Sequence, residues 1–181
     1  NLGKPSDGTV VPASLGTTAV TALTAGTGIT NGTGTIYRSD VQKLGNIIHT
    51  RILIDLTGLA SSGNGDVIGK AATANSHIGQ ITTAVNGTVL GGRITCFEAP
   101  AGGDPDINLW YADEATGAED AAVTSLTNQV QMCDSGDFAI GTVVGIPTPP
   151  AADKYLYMVT GAATDGNYSA GKLLIELFGY V

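Results

Sequence analysis

NIIHTRILIDL, residues 46–56, is the stretch that decides the fold class. In an extended chain Ile48, Thr50, Ile52, Ile54 and Leu56 share one face. Ile47, His49, Arg51, Leu53 and Asp55 share the other. Alternation with a period of two marks a strand that buries one side, and isoleucine is among the side chains that fit a pleated surface best. The run stops at TGLASSGNGD, which is rich in turn residues.

Working outward, the same grammar recurs. In HIGQITTAVNGTVLGGRITCFEAP (77–100) two β-prone runs flank Asn86-Gly87, which predicts a hairpin. Gly91-Gly92 marks a bulge or bend in its second strand. Further strands are expected in DINLWYA (106–112), which carries the only tryptophan, Trp110, and in FAIGTVVGI (138–146), KYLYMVTGAA (154–163) and KLLIELFGYV (172–181). The last of these is apolar on both faces, so it belongs at the centre of a sheet or at an interface. TGAEDAAVTSL (116–126) is the one helix candidate: Thr116 and Glu119 have capping-box spacing and acids fill the first turn. One or two turns are expected.

Upstream, residues 1–35 read as an extended arm. Pro5 and Pro12 interrupt helix, and Asn31-Gly32 suits a tight turn. From Gly8 to Tyr37 there is no Asp, Glu, Lys, Arg or His, while nine residues are Thr and six are Gly. Such a segment has too little apolar bulk to fold alone and too little charge for a typical disordered tail. It is expected to be extended and to direct its backbone hydrogen bonds outside its own core. The expected architecture is therefore all-β: an antiparallel β-sandwich or jelly-roll-like domain over residues 36–181, with about eight strands and at most one short helix, preceded by the arm 1–35.

Charged residues are 13 % of the 181 and glycine numbers 26, against typical values of about 25 % charged and about 7 % glycine. Low charge leaves a poorly solvated surface, a profile shared by shell and fibre proteins and by secreted sandwiches. The net charge of −8 is concentrated: residues 94–153 hold ten acids and no Lys or Arg. That argues against a nucleic-acid partner and against an anionic membrane surface. No stretch reaches the ~18 apolar residues of a membrane span, and the front end lacks the pattern of a signal peptide.

Candidate sites are sparse. There is no G-x-S-x-G elbow, and GTGITNG (26–32) is neither a dinucleotide fingerprint nor a Walker loop. His49 and His77 read as surface or interface residues, and Cys96 and Cys133 as buried thiols, with a single disulfide as the alternative. Two Cys and two His do not make a zinc set. Asp104 and Asp106 in GGDPDI, with Asp113, Glu114, Glu119 and Asp120 following, are the calcium candidates; the alternative is a solvated acidic rim. Trp110 reads as core rather than as a sugar platform. No catalytic residue and no cofactor are expected.

ILIDLTGL, ANSHIGQITTAVNGTV, GGRITCFEAPAGGDPDINLW, TGAED and LLIELFGY resemble stretches of small β-rich virion proteins of marine tailed bacteriophages. The resemblance runs from about Ile47 to Val181. It implies a virion structural protein, most of all a capsid decoration or cement protein on the capsid surface. Such a protein would bind the major capsid protein and itself, as a homotrimer. The rival readings are another virion part (tail, head fibre or jelly-roll coat subunit) and a secreted carbohydrate- or calcium-binding sandwich module.

Overall fold

The structure is a computed structural model and describes residues 18–20 and 22–181. In chain order it begins with β1 (Thr18–Val20), the one-turn helix α1 (Thr27–Thr30), β2 (Ile36–Leu44), β3 (Ile47–Asp55) and β4 (Ala60–Ser61). The middle holds β5 (Gly79–Ile81), the one-turn helix α2 (Thr83–Asn86), β6 (Thr88–Ala101), β7 (Ile107–Ala112) and β8 (Val130–Cys133). The last part holds β9 (Val143–Ile146), β10 (Lys154–Thr160), β11 (Gly166–Asn167) and β12 (Ala170–Tyr180). Every pairing is antiparallel. The large sheet runs β1-β2-β3-β12-β6-β9, a second runs β5-β10-β7-β8, and β11 pairs with β4. The expected all-β antiparallel sandwich is what the chain forms.

The two large sheets share one core. Ile52 and Ile54 of β3, Ile94 and Cys96 of β6 and Leu173 and Ile175 of β12 face Leu109 of β7 and Leu156 and Met158 of β10. At about 25 cal/mol per Å² of apolar surface removed from water, this layer is the main stabilising term. The second sheet is covered on its other side as well. Tyr157 and Val159 of β10 and Ala112 of β7 pack against Val67 and Val123 from the loops. Tyr157 is fully buried; its hydroxyl donates to Glu114 O at 2.5 Å and accepts from Gly117 N at 3.2 Å. Burial pushes that phenol up to about 12.

The two-sided last strand is central, between β3 and β6, in continuous register with β3 from Lys172↔Asp55 to Tyr180↔Ile47. The predicted irregularity of β6 is present one residue early: Phe178 pairs with Gly91 and Gly179 with Val89, leaving Leu90 as the extra residue. Phe97 is a second extra residue, between Cys96 and Glu98.

Three expectations are corrected. Asn86-Gly87 is not a hairpin, because β5 pairs with β10 in one sheet and β6 with β12 in the other. The dipeptide ends α2, where Thr82 Oγ1 accepts from Val85 N and Asn86 Oδ1 accepts from Thr82 N. Gly87, at φ +65°, then turns the chain across to the large sheet. The helix expected over 116–126 is only the 3-10 turn Val123–Ser125, and Thr116 and Glu119 form no capping box. Glu119 instead receives the Ala72 N–H, so the local signal lost to a tertiary contact.

The third correction concerns the arm. Residues 1–17 and 21 lie outside the described residues. Beyond them, residues 22–35 do not project away from the domain. Leu23, Ala25 and Ile29 belong to the main core, and Ile29 is fully buried. The backbone bonds run inward: Gly26 N to His77 O at 2.9 Å, Gly28 N to Asn75 O at 3.0 Å, and Lys70 N to Gly28 O at 2.6 Å. The glycines of GTGITNG permit this approach; a Cβ at Gly26 would stand 1.8 Å from Asn75 O, and one at Gly28 2.1 Å from Ser76 Oγ. Asn31-Gly32 follows the one-turn helix α1 rather than closing a hairpin. Among the described residues no helix is long and apolar enough to cross a membrane.

Candidate interaction surface

Because side chains alternate, the strands that bury Ile52, Ile175 and Ile94 must present their other side chains on the opposite face of the large sheet. Register places these in rows across β2, β3, β12 and β6. The first is Leu44, Ile47, Tyr180 and Thr88; the second is Gln42, His49, Phe178 and Gly91. The third is wholly charged: Asp40, Arg51, Glu176, Arg93. The fourth is Arg38, Leu53, Leu174 and Thr95, and the fifth Ile36, Asp55, Lys172 and Glu98.

Large apolar side chains on this face stand open to solvent. Ile47 is 58 % exposed, Leu44 54 % and Tyr180 53 %. A depression of about 300 Å³ lies between Leu44, Ile47, His49 and Phe178. A second, of about 350 Å³, is lined by Arg38, Asp40, Arg51, Leu53 and Leu174. Single exposed apolar residues are ordinary, but a contiguous group on the flat face of a sheet marks a contact surface.

The charged row is already paired within the chain. Arg51 binds Asp40 through two nitrogens. Arg93 Nε donates to Glu176 Oε2, and His49 Nε2 lies 3.1 Å from Glu176 Oε1. The Arg93 hydrogen bond outweighs burial and holds the Glu176 carboxyl below its usual range; Arg51 does the same for Asp40. Lys172 bridges Glu98 and Asp55, 3.3 Å from the latter. His49 stacks on Phe178 with ring centroids 5.0 Å apart. This histidine therefore sits on the surface face, as its strand position implied.

Of the residues singled out for calcium, Asp104 and Asp106 lie together; the Asp104 carboxylate is occupied by hydrogen bonds within the chain, while Asp106 Oδ1 is buried without a hydrogen-bond partner. Asp104 is fully buried; its Oδ1 accepts from Asp106 N and its Oδ2 from Ala162 N, each at 3.0 Å. Its carbonyl accepts from the Tyr168 hydroxyl at 2.7 Å. The carboxylate is a loop clamp. Burial, then the nearby Asp104, Asp134 and Asp137, raise the Asp106 pKa, which makes its charged form unfavourable there. The remaining acids disperse: Asp113 pairs with Lys154, Glu114 receives the Thr127 N–H and Glu119 the Ala72 N–H. Among the described residues no group of three or more His, Cys, Asp or Glu is arranged to hold a metal ion.

Cys96 and Cys133 are both free and buried, with their thiols raised chiefly by burial. Trp110 packs against the smaller core cluster around Tyr157. His77 stands edge-on to Tyr155, 5.0 Å between centroids, beneath the docked front segment, and burial lowers its pKa. Arg38 and Asp40 were not singled out by sequence reasoning. The available signal was the alternation of Tyr37, Ser39 and Val41 with Arg38, Asp40 and Gln42, weakened by a serine on the inward side.

No family model matches the chain, and neither does any curated protein or solved structure.

Proposed function

We propose that this chain is a structural component of a phage particle, a capsid decoration or cement protein of the capsid surface, and not an enzyme. The observation that carries the reading is the open face of the large sheet. A buried core is complete beneath it, yet Leu44, Ile47, Tyr180 and their neighbours remain uncovered on it. A chain built this way works by assembling with other chains. The resemblance of residues 47–181 to small virion proteins points to the same class and names the shell protein as the partner.

In this reading the front residues, 1–17, reach across neighbouring shell subunits, and many weak contacts on a repeating lattice add to firm attachment. The segment to test is 1–17 rather than 1–35, because Leu23, Ala25 and Ile29 are core. The full chain is expected to co-sediment in saturable fashion with preformed heads of the phage that encodes it. A chain starting at residue 18 should lose at least about ten-fold in affinity, the scale of one removed contact set. Absence of saturable binding by the full chain overturns the reading.

A further inference from the structure

We propose that the open face of the large sheet pairs with the same face of a second copy of this chain, about a two-fold axis lying parallel to the strands between β3 and β12. The inference deepens the assembly reading above by naming the partner of that face.

The order of charges on the face is self-complementary. Across β2, β3, β12 and β6 the third row reads acid, base, acid, base: Asp40, Arg51, Glu176, Arg93. A two-fold axis along the strands reverses the order in the facing copy. Asp40 then meets Arg93 of the second copy, and Arg51 meets its Glu176, so all four positions oppose unlike charge. In the fifth row the inner pair obeys the same rule, with Asp55 over Lys172, while the outer positions set Ile36 over Glu98. The apolar positions also match: Leu53 lies over Leu174, His49 over Phe178, and Ile47 over Tyr180. An axis running across the strands fails, since it sets Asp40 on Asp40, Arg51 on Arg51 and Glu176 on Glu176. The pattern therefore selects one closed, self-complementary arrangement.

The physical division of work follows. Covering the apolar rows supplies the attraction, and the two charged rows fix register and exclude the wrong pairing. Five rows on four strands cover about 20 Å by 30 Å, or about 600 Å² per copy, from ordinary strand and residue spacing. Val143 of β9, 57 % exposed beside Thr95, extends the patch toward the roughly 800 Å² per partner of a stable interface. Two sheets packed face to face in this way make an aligned sandwich. The arrangement is two-fold, in place of the three-fold assembly that the family resemblance implies.

The test uses the full chain in sedimentation equilibrium, with circular dichroism to confirm folding of each variant. The wild type is expected as a dimer. Asp40→Arg puts like charges at two of the four facing positions, and so does Arg93→Glu. Each variant alone should weaken self-association on the order of 100-fold. Mixed together, Asp40→Arg and Arg93→Glu place unlike charges at every position, so the mixture is expected to regain a one-to-one dimer. A monomeric wild type, single variants that dimerise as the wild type does, or a mixture that stays monomeric would each overturn the proposal. So would a dimer indifferent to both reversals but lost when residues 1–17 are removed, which would assign the contact to exchanged front segments. Head binding, measured separately, judges the assembly reading, so a monomer that still co-sediments with heads sinks only this inference.

Discussion

Glu176 shows how one residue can serve both the strand and its surface. Its backbone lies in the middle of β12, and its carboxylate takes the Arg93 guanidinium on one side and faces His49 on the other. The Arg93 bond holds the carboxyl below its ordinary value of 4.5, against the opposing effect of burial. The sign follows from linkage. A depressed folded pKa contributes stability that is fully present above the unfolded value and lost as pH falls through the folded one. Glu176→Gln should therefore lower stability by about 1 kcal/mol at pH 7, below the roughly 1.5–3 kcal/mol of a hydrogen bond to a charged group because Arg93 is half exposed. Below about pH 4 the difference between variant and wild type should shrink toward zero. Urea unfolding at pH 7, 5 and 3.5, at one fixed protein concentration, measures this. A difference independent of pH would contradict it.

At the scale of elements, the crossover at α2 decides which strand joins which sheet. Asn86 is nearly fully buried; its amide nitrogen donates to Thr50 Oγ1 at 2.9 Å, and its oxygen accepts from Thr82 N at 2.9 Å. The side chain thus ties the turn to β3. Replacing it with alanine strands the buried Thr50 hydroxyl and the half-buried Thr82 N–H, so Asn86→Ala should cost about 2 kcal/mol. Asn86→Asp keeps the acceptor but buries a carboxylate, so it should recover part of the loss only at a pH low enough to protonate it. Denaturant titration of both variants distinguishes this tie from the entropic role of a hairpin asparagine, for which the alanine loss would be well under 1 kcal/mol. The same element shows where sequence reading stops. β3 was legible from its strong alternation, and β7, β10 and β12 from short β-prone runs with glycine or proline near their ends. β2 was missed because its inward side is Tyr37, Ser39 and Val41, too polar to show a face. The hairpin at Asn86-Gly87 was misread because local turn chemistry does not say which sheet receives the next strand. The open surface was half visible: a last strand apolar on both sides announced an interface, but its rows appear only once register with β2, β3 and β6 is known.

For the molecule as a whole, the front segment is the feature that composition described least well. Its lack of charge and its glycines were legible, and they predict an arm that gains order by lying against another chain. What the sequence did not carry is that the surface it lies against, for residues 22–35, is its own domain at Asn75–His77. Two truncations separate the parts. A chain starting at residue 18 keeps every contact among the described residues from there on and serves as the reference. One starting at residue 36 loses the burial of Leu23, Ala25 and Ile29, on the order of 5 kcal/mol, or about 10–20 °C in Tm for a domain of this size. Equal melting of the two chains would show that the docked segment contributes nothing.

The place of β12 also sets a timetable for synthesis. β3 and β6 do not touch in the large sheet except through β12, which lies between them and is made after both. Until residue 180 has left the ribosome, the β2–β3 hairpin and the β6–β9 pair are separate pieces, each with an unpaired edge and an apolar face awaiting the same late arrival. Closure then depends on contacts between distant parts of the chain, the slow kind, during which open edges invite pairing with other nascent copies. The chain is thus most exposed to other copies of itself in the moments before the eleven-residue β12 slides home.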